Sequence, residues 1–145
     1  MKLYGILIPT MMRPDFLRRV IHFHYKSGNI GEILIVDSGT PAIRQSNREV
    51  VAYYRQKGLH IRQLEISEPT TVFLKIRAGL EVMESKYISL SADDDVCSVN
   101  FLETAATFLE GNTDYRSVGG YMALMELNEE NNQLKKMTLN NGTSA

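Results

Sequence analysis

LYGILIPTMMRPDFLRRVIHFHYKSG, residues 3 to 28, changes its hydrophobic period midway. Its first part, LYGILI (residues 3 to 8), is a short apolar run stopped by Pro9, the pattern of a strand buried on both faces. From Pro14, with Asp15 in the first turn, Phe16, Leu17, Val20, Ile21 and Phe23 recur at helical spacing until Gly28, a natural helix stop. The alternation then repeats. EILIV (residues 32 to 36) is a second apolar run, closed by the turn-forming Asp37, Ser38 and Gly39. Residues 44 to 57 are polar and helical in character, with Val50, Val51 and Tyr54 as the inward stripe and Gly58 as the stop. Ile61, Leu64 and Ile66 mark a shorter third strand. Thr70 caps a predicted helix through Met83, with Phe73, Leu74, Ile76, Leu80 and Met83 as its stripe. Tyr87 to Leu90 reads as a fourth strand, and residues 99 to 110 as a fourth helix ended by Gly111.

Four strand-then-helix repeats require crossover connections, and right-handed crossovers build a parallel sheet with helices on both faces. The expected fold is therefore α/β: a three-layer αβα arrangement around an open, mostly parallel, Rossmann-like sheet. After Gly119 and Gly120 the order changes, and YMALMEL and QLKKMTL flank the polar turn NEENN as a C-terminal antiparallel hairpin. Residues 140 to 145, NNGTSA, read as a disordered tail. No repeat, low-complexity tract or linker divides the chain, so residues 1–145 are expected to form one domain.

Composition narrows the function. The chain has 145 residues, 43% hydrophobic and 23% charged, enough to bury a core without staples. Sixteen basic and 17 acidic residues leave a net charge of −1, so no global field draws nucleic acid or an anionic membrane. Cys97 is the single cysteine, which excludes an internal disulfide and fits a reducing compartment. No apolar run approaches transmembrane length and the N-terminus lacks a signal-peptide pattern. A cytoplasmic protein without a transmembrane segment is the expectation.

In an open α/β sheet, ligands bind beyond the carboxyl ends of the strands. The loops that leave the first, second and fourth strands carry Pro9-Thr10-Met11-Met12-Arg13, Asp37-Ser38-Gly39-Thr40 and Ala92-Asp93-Asp94-Asp95. Adjacent carboxylates repel unless a cation lies among them, and Mg²⁺ or Mn²⁺ takes one or two carboxylates together with phosphate oxygens. Acid runs taken alone more often cap helices or face solvent. Here the run follows a buried strand and shares an edge with Asp37, which favours a metal–diphosphate site.

ILIPTMMRPDFLRRVI, EILIVDSGT, KIRAGLEVM and YISLSADDDV occur in an order and spacing that resemble family 2 glycosyltransferases of the GT-A fold, over roughly residues 3 to 125. The resemblance implies the nucleotide-sugar-binding portion of such an enzyme. Pro9, Thr10 and Arg13 would then line the nucleotide pocket, Asp37 would bind the uracil or ribose edge with Ser38 beside it, and Lys75 or Arg77 would lie near base or phosphates. Asp93, Asp94 and Asp95 correspond to the DxD motif. Two registers stay open: Asp93 and Asp95 as the metal pair, or a DADD-like alignment in which Ser91 replaces the first acid and Asp93 serves with Asp94. The implied reaction moves a hexosyl group from a UDP- or GDP-sugar to a glycan or lipid-linked acceptor hydroxyl, with inversion, in polysaccharide or cell-envelope glycan synthesis.

Family members continue well past this length into an acceptor-binding region with a carboxylate base and a QxxRW-like motif. That region is not visible here. The chain reads as truncated, minimal, or a binding remnant, and its general base is unassigned. Glu126, Glu129 and Glu130 lie in or beside the hairpin turn, where solvated acids are expected. A second reading is a non-catalytic nucleotide-binding or subunit-pairing module whose hairpin edge pairs with another copy. A response-regulator-like domain is a third, disfavoured because its acids should be split between the first and third strands. His22, His24 and His60 read as surface or packing residues, because i, i+2 histidines project from different helix faces.

Overall fold

The computed structural model describes residues 1–66, 70–127 and 133–140. The chain divides into two compact units, Met1–Thr107 and Phe108–Ala145. In the first unit, β1 (Tyr4–Thr10), β2 (Glu32–Asp37), β3 (Ile61–Glu65) and β4 (Tyr87–Leu90) form a parallel sheet in the order β3-β2-β1-β4. The helices α1 (Pro14–Lys26), α2 (Pro41–Gln56) and α3 (Val72–Val82) join successive strands, and α4 (Val99–Gly111) follows β4. The chain moves outward from β1 to β3 and then returns to the other side of β1 for β4. That reversal is a topological switch point, and in open α/β sheets ligands bind at such a point, here the carboxyl ends of β1 and β4.

The pleat sorts the strand residues between two faces. Ile6, Ile8, Ile33 and Ile35 pack with Leu17, Val20 and Ile21 of α1, Val51 and Tyr54 of α2, and Leu102 and Ala106 of α4. Leu7, Leu34 and Val36 face the other way, against Ile76 and Met83 of the α3 region. Each fully buried aliphatic side chain contributes about 1.5–3 kcal/mol, so these two clusters are the main cohesive force of the unit.

Several local expectations shift. β1 continues through Pro9 to Thr10 instead of stopping at Pro9, with Pro9 opposite Val36. The Leu7 carbonyl accepts the Ser91 N–H, so Leu7 and Pro9 point their backbone groups toward β4. β4 ends at Leu90, and the N–H that Pro9 lacks has no strand to reach. α2 starts at Pro41 behind the Thr40 cap, and α3 is capped by Thr71, not Thr70. The α3 stripe is the larger correction: Phe73, Leu74 and Leu80 are exposed, while Lys75 and Gly79 are buried. A Cβ on Gly79 would lie 2.4 Å from Leu7 Cδ1, so only glycine lets α3 sit this close to the sheet. With Gly79 fixed inward, Lys75, one turn earlier, faces the same way.

In the second unit, β5 (Met122–Leu127) and β6 (Leu134–Asn140) pair antiparallel, with Ala123 opposite Leu139 and Met125 opposite Met137. The expected hairpin is present, and Asn140 belongs to its second strand instead of the tail. The turn with Glu129 and Glu130, and residues 141–145, lie outside the described residues. Among the described residues no helix is long and apolar enough to cross a membrane.

His24 is fully buried in α1, with neither ring nitrogen hydrogen-bonded among the described residues. It is a packing residue, whereas His22 is exposed and reaches the Tyr54 hydroxyl at 2.8 Å. Burial pushes the His24 imidazole down to about 4 from 6.5. The unfolded chain therefore takes up this proton first as pH falls. The stability is fully present above pH 6.5 and is lost progressively between 6.5 and about 4. His24→Leu should flatten urea-unfolding stability over that window, removing about 3 kcal/mol of its pH dependence. An unchanged slope would contradict a neutral buried imidazole.

Candidate functional site

Parallel register puts three loops on one edge of the sheet. Thr10 ends β1 opposite Asp37 at the end of β2, and the Ser91 N–H bonds the Leu7 carbonyl just before the acidic run. Thr10 is the point of convergence. Its hydroxyl donates to Asp93 Oδ2 at 2.7 Å, and its carbonyl accepts from Lys75 Nζ at 2.9 Å and from the Ser38 N–H at 3.3 Å. Asp93 keeps only 4% of its surface exposed and Lys75 only 5%.

Arg13 closes this arrangement from the solvent side. Its Nη1 donates to Asp93 Oδ1 at 2.9 Å and its Nη2 to Asp94 Oδ2 at 2.7 Å. The guanidinium also lies 4.5 Å from the centre of the Phe16 ring, a stacking that suits its planar cation. Immediately before it, Met12 has φ of 60°, the one non-glycine residue with positive φ among those described. A left-handed conformation there costs about 1–2 kcal/mol, strain of the kind that collects at functional loops.

Burial pushes the Lys75 ammonium pKa down, and the charges of Asp37 and Asp93 work against that by favouring the protonated form. Lys75 is thus a buried cation between two strand-end acids. Arg77, the alternative on the same helix, is exposed and paired with Glu81 at 3.0 Å. The fold brings Lys75 to the site and leaves Arg77 on the outer face of α3.

Asp37 is fully buried. Its Oδ1 accepts the Gly39 N–H at 2.8 Å, and its Oδ2 accepts from Asn47 Nδ2 at 2.8 Å and Gln63 Nε2 at 3.0 Å. These bonds tie the β2 loop, α2 and β3 together. Asn47 and Gln63 carry no sequence signal for this role, since nothing local marks a polar helix or strand residue as a partner of Asp37. Beside it, the Ser38 hydroxyl is buried without a hydrogen-bond partner among the described residues. Pro9, half-buried, precedes Thr10 in β1.

Asp94 and Asp95 are exposed. Of the two registers, the geometry joins Asp93 with Asp94 through Arg13, while Asp95 engages the turn through its backbone: its N–H donates to the Ala92 carbonyl at 3.4 Å and its carbonyl accepts from Ser91 Oγ at 3.3 Å. Ser91 braces the acidic turn where the DADD-like alignment has an acid. No group of three or more His, Cys, Asp and Glu among the described residues is arranged to enclose a metal. Two carboxylates do fit Mg²⁺ or Mn²⁺ completed by water and phosphate oxygens, as distinct from an all-protein cage. In this structure Asp93 Oδ1 and Asp94 Oδ2 face one cation, the Arg13 guanidinium, through its two terminal nitrogens.

The glycosyl transferase family 2 model matches residues 5–142. Among solved structures, S. aureus TarS 1-349 is similar, with a TM-score of 0.63 and 16% identity over 88% of this chain and 42% of that chain. At this identity the likeness concerns the fold. The chain spans less than half the length of that structure. No curated protein matches.

Asp37→Ala strands the Asn47 and Gln63 amides and the Gly39 N–H in the interior, and should lower stability by about 3 kcal/mol. Urea unfolding measures this; a loss under about 0.5 kcal/mol would mean that water replaces the carboxylate and that Asp37 does not brace the loop.

Proposed function

The chain belongs to glycosyl transferase family 2, and on that premise we propose that it binds the nucleotide-sugar donor of a glycosyltransferase at the β1–β4 switch point. The donor is a UDP- or GDP-sugar. A hexosyl group passes with inversion to a hydroxyl of a glycan or lipid-linked acceptor, in cytoplasmic synthesis of polysaccharide or envelope glycans. The observation that carries the reading is the convergence of Thr10, Arg13, Lys75 and Asp93 on one edge of the sheet.

Each residue has work suited to its environment. Thr10 fixes the orientation of Asp93 by hydrogen bonding one carboxylate oxygen. Lys75 supplies a positive charge held below the pocket, near a donor diphosphate. Arg13 offers a planar fork that suits phosphate as well as carboxylate. Pro9 and the turn at Ser38 shape the wall that meets the ribose and base, and Asp37 holds that turn from behind. When bound, Mg²⁺ or Mn²⁺ at Asp93, with Asp94 or Asp95 as the second carboxylate, neutralises charge developing on the leaving diphosphate.

A second reading is favoured by the hairpin. Tyr121, Met122, Leu124, Met125, Met137 and Leu139 are all exposed, and an isolated two-stranded hairpin is marginal in water. In this reading the unit pairs with a second copy or another subunit, and donor binding is not required.

Calorimetric titration of UDP and GDP, with and without Mn²⁺, should show metal-dependent binding of one nucleotide, weakened at least about tenfold by Asp93→Ala, the order expected for losing a charged partner. Lack of binding of either nucleotide would move the pairing module to first place. Sedimentation analysis tests that module: a dimer that Met125→Asp dissociates supports it, and a monomer at high concentration removes it.

A further inference from the structure

Each oxygen of the Asp93 carboxylate accepts a hydrogen bond from within the protein. Oδ2 takes the Thr10 hydroxyl at 2.7 Å and Oδ1 takes Arg13 Nη1 at 2.9 Å, while Arg13 Nη2 holds Asp94 Oδ2 at 2.7 Å. One guanidinium therefore bridges the two carboxylates that the donor-site reading gives to a divalent cation. A divalent cation held by the same Asp93 Oδ1 and Asp94 Oδ2 would stand within a few ångströms of the guanidinium, and like charges that close repel. Of the two Asp93 partners, Thr10 is 2% exposed within β1, whereas the Arg13 side chain is 44% exposed on a loop. Arg13 is the partner able to leave.

The geometry points to Arg13 as an internal counterion that gates the cation site. In the ligand-free protein it neutralises Asp93 and Asp94, which would otherwise repel each other across the turn. An incoming Mg²⁺ or Mn²⁺ must displace it, so binding of the metal alone is weakened. The released guanidinium then lies at the mouth of the crevice, where the anionic diphosphate of the donor gives it a new bidentate partner. Metal and nucleotide each relieve the unpaired charge that the other creates. By reciprocity, each raises the affinity for the other by the same factor. Arg13 is a donor-binding residue that exchanges partners in this scheme, and the inference rests on the donor-site reading above.

The Phe16 ring supports the Arg13 side chain independently of the acids. It lies 4.5 Å from the Arg13 guanidinium carbon and also 4.5 Å from that of Arg19. This stacking coexists with the two ion pairs, so the ring holds the guanidinium at the loop while its acid partners change, and Arg19 adds a second positive charge that an incoming phosphate would neutralise.

The test is Mn²⁺ binding, followed by the loss of the free-ion electron paramagnetic resonance signal, with and without UDP or GDP. It compares the wild type with Arg13→Gln, Arg13→Lys and, as a control, Asp93→Ala. Removing the competing charge should tighten binding of Mn²⁺ alone by about tenfold in Arg13→Gln and shrink the gain from nucleotide by a similar factor. Arg13→Lys, which keeps the charge but loses the fork, should fall between. A general structural defect would weaken Mn²⁺ binding, so tightening separates the gate from damage. If Arg13→Gln fails to fold by thermal melting, tightening in Arg13→Lys carries the same decision. Unchanged or weaker Mn²⁺ binding in the Arg13 variants, with wild type still binding Mn²⁺ and nucleotide together, overturns the gate and leaves the donor site standing. Lack of Mn²⁺ binding to wild type and variants, with nucleotide present, overturns both.

Discussion

Thr10 carries the constraint on which the crevice depends. Its side chain reaches β4's loop at Asp93, and its carbonyl receives both the β2 loop at Ser38 and the α3 ammonium of Lys75. Three segments thus meet on one residue at the end of β1. The arrangement is stable because the parallel register places Thr10 directly opposite Asp37. The aliphatic clusters on both faces of the sheet hold that register: a slip of one residue would exchange the Ile6, Ile8 face with the Leu7 face.

The opposite edge of the sheet shows a different use of charge. Glu32, 1% exposed, accepts from Arg62 at 2.6 Å, from the Ser85 hydroxyl at 2.8 Å and from the Glu84 N–H at 3.1 Å. Burial pushes its pKa up, but these bonds outweigh that and hold it below the ordinary value. All the donors come from the protein, and they join β2, β3 and the α3–β4 connection. At the crevice one arginine, Arg13, instead spans two carboxylates, one of them on the exposed Asp94. The first arrangement locks the fold, and the second can exchange partners. That contrast is why the β1–β4 edge, and not the other, reads as the binding edge.

Much of the architecture was legible in the chain. Apolar runs of strand length alternated with helical periodicity, which dictated β/α units, a parallel sheet and a terminal hairpin. Errors fell where a local rule met a tertiary demand. Thr71 caps α3 in place of Thr70, a one-residue difference that leaves the helix itself intact. The α3 stripe held at Ile76 and Met83 but failed at Phe73, Leu74 and Leu80 for a stronger reason: close packing of Gly79 on Leu7 chose the inward face. Pro9 likewise stayed in β1 because its missing donor faces beyond the end of β4.

The sequence by itself determined the element order, the acids behind the fourth strand and the family, because these depend on residue types within a few positions of one another. Only the tertiary structure decided that Asp93 and Asp94 share Arg13, that Lys75 and not Arg77 reaches the edge, and that Asp37 is saturated by Gly39, Asn47 and Gln63. Thr10 and Asp93 stand 83 residues apart. Their meeting follows from β4 returning beside β1, and no local periodicity encodes which side of a central strand the chain comes back to.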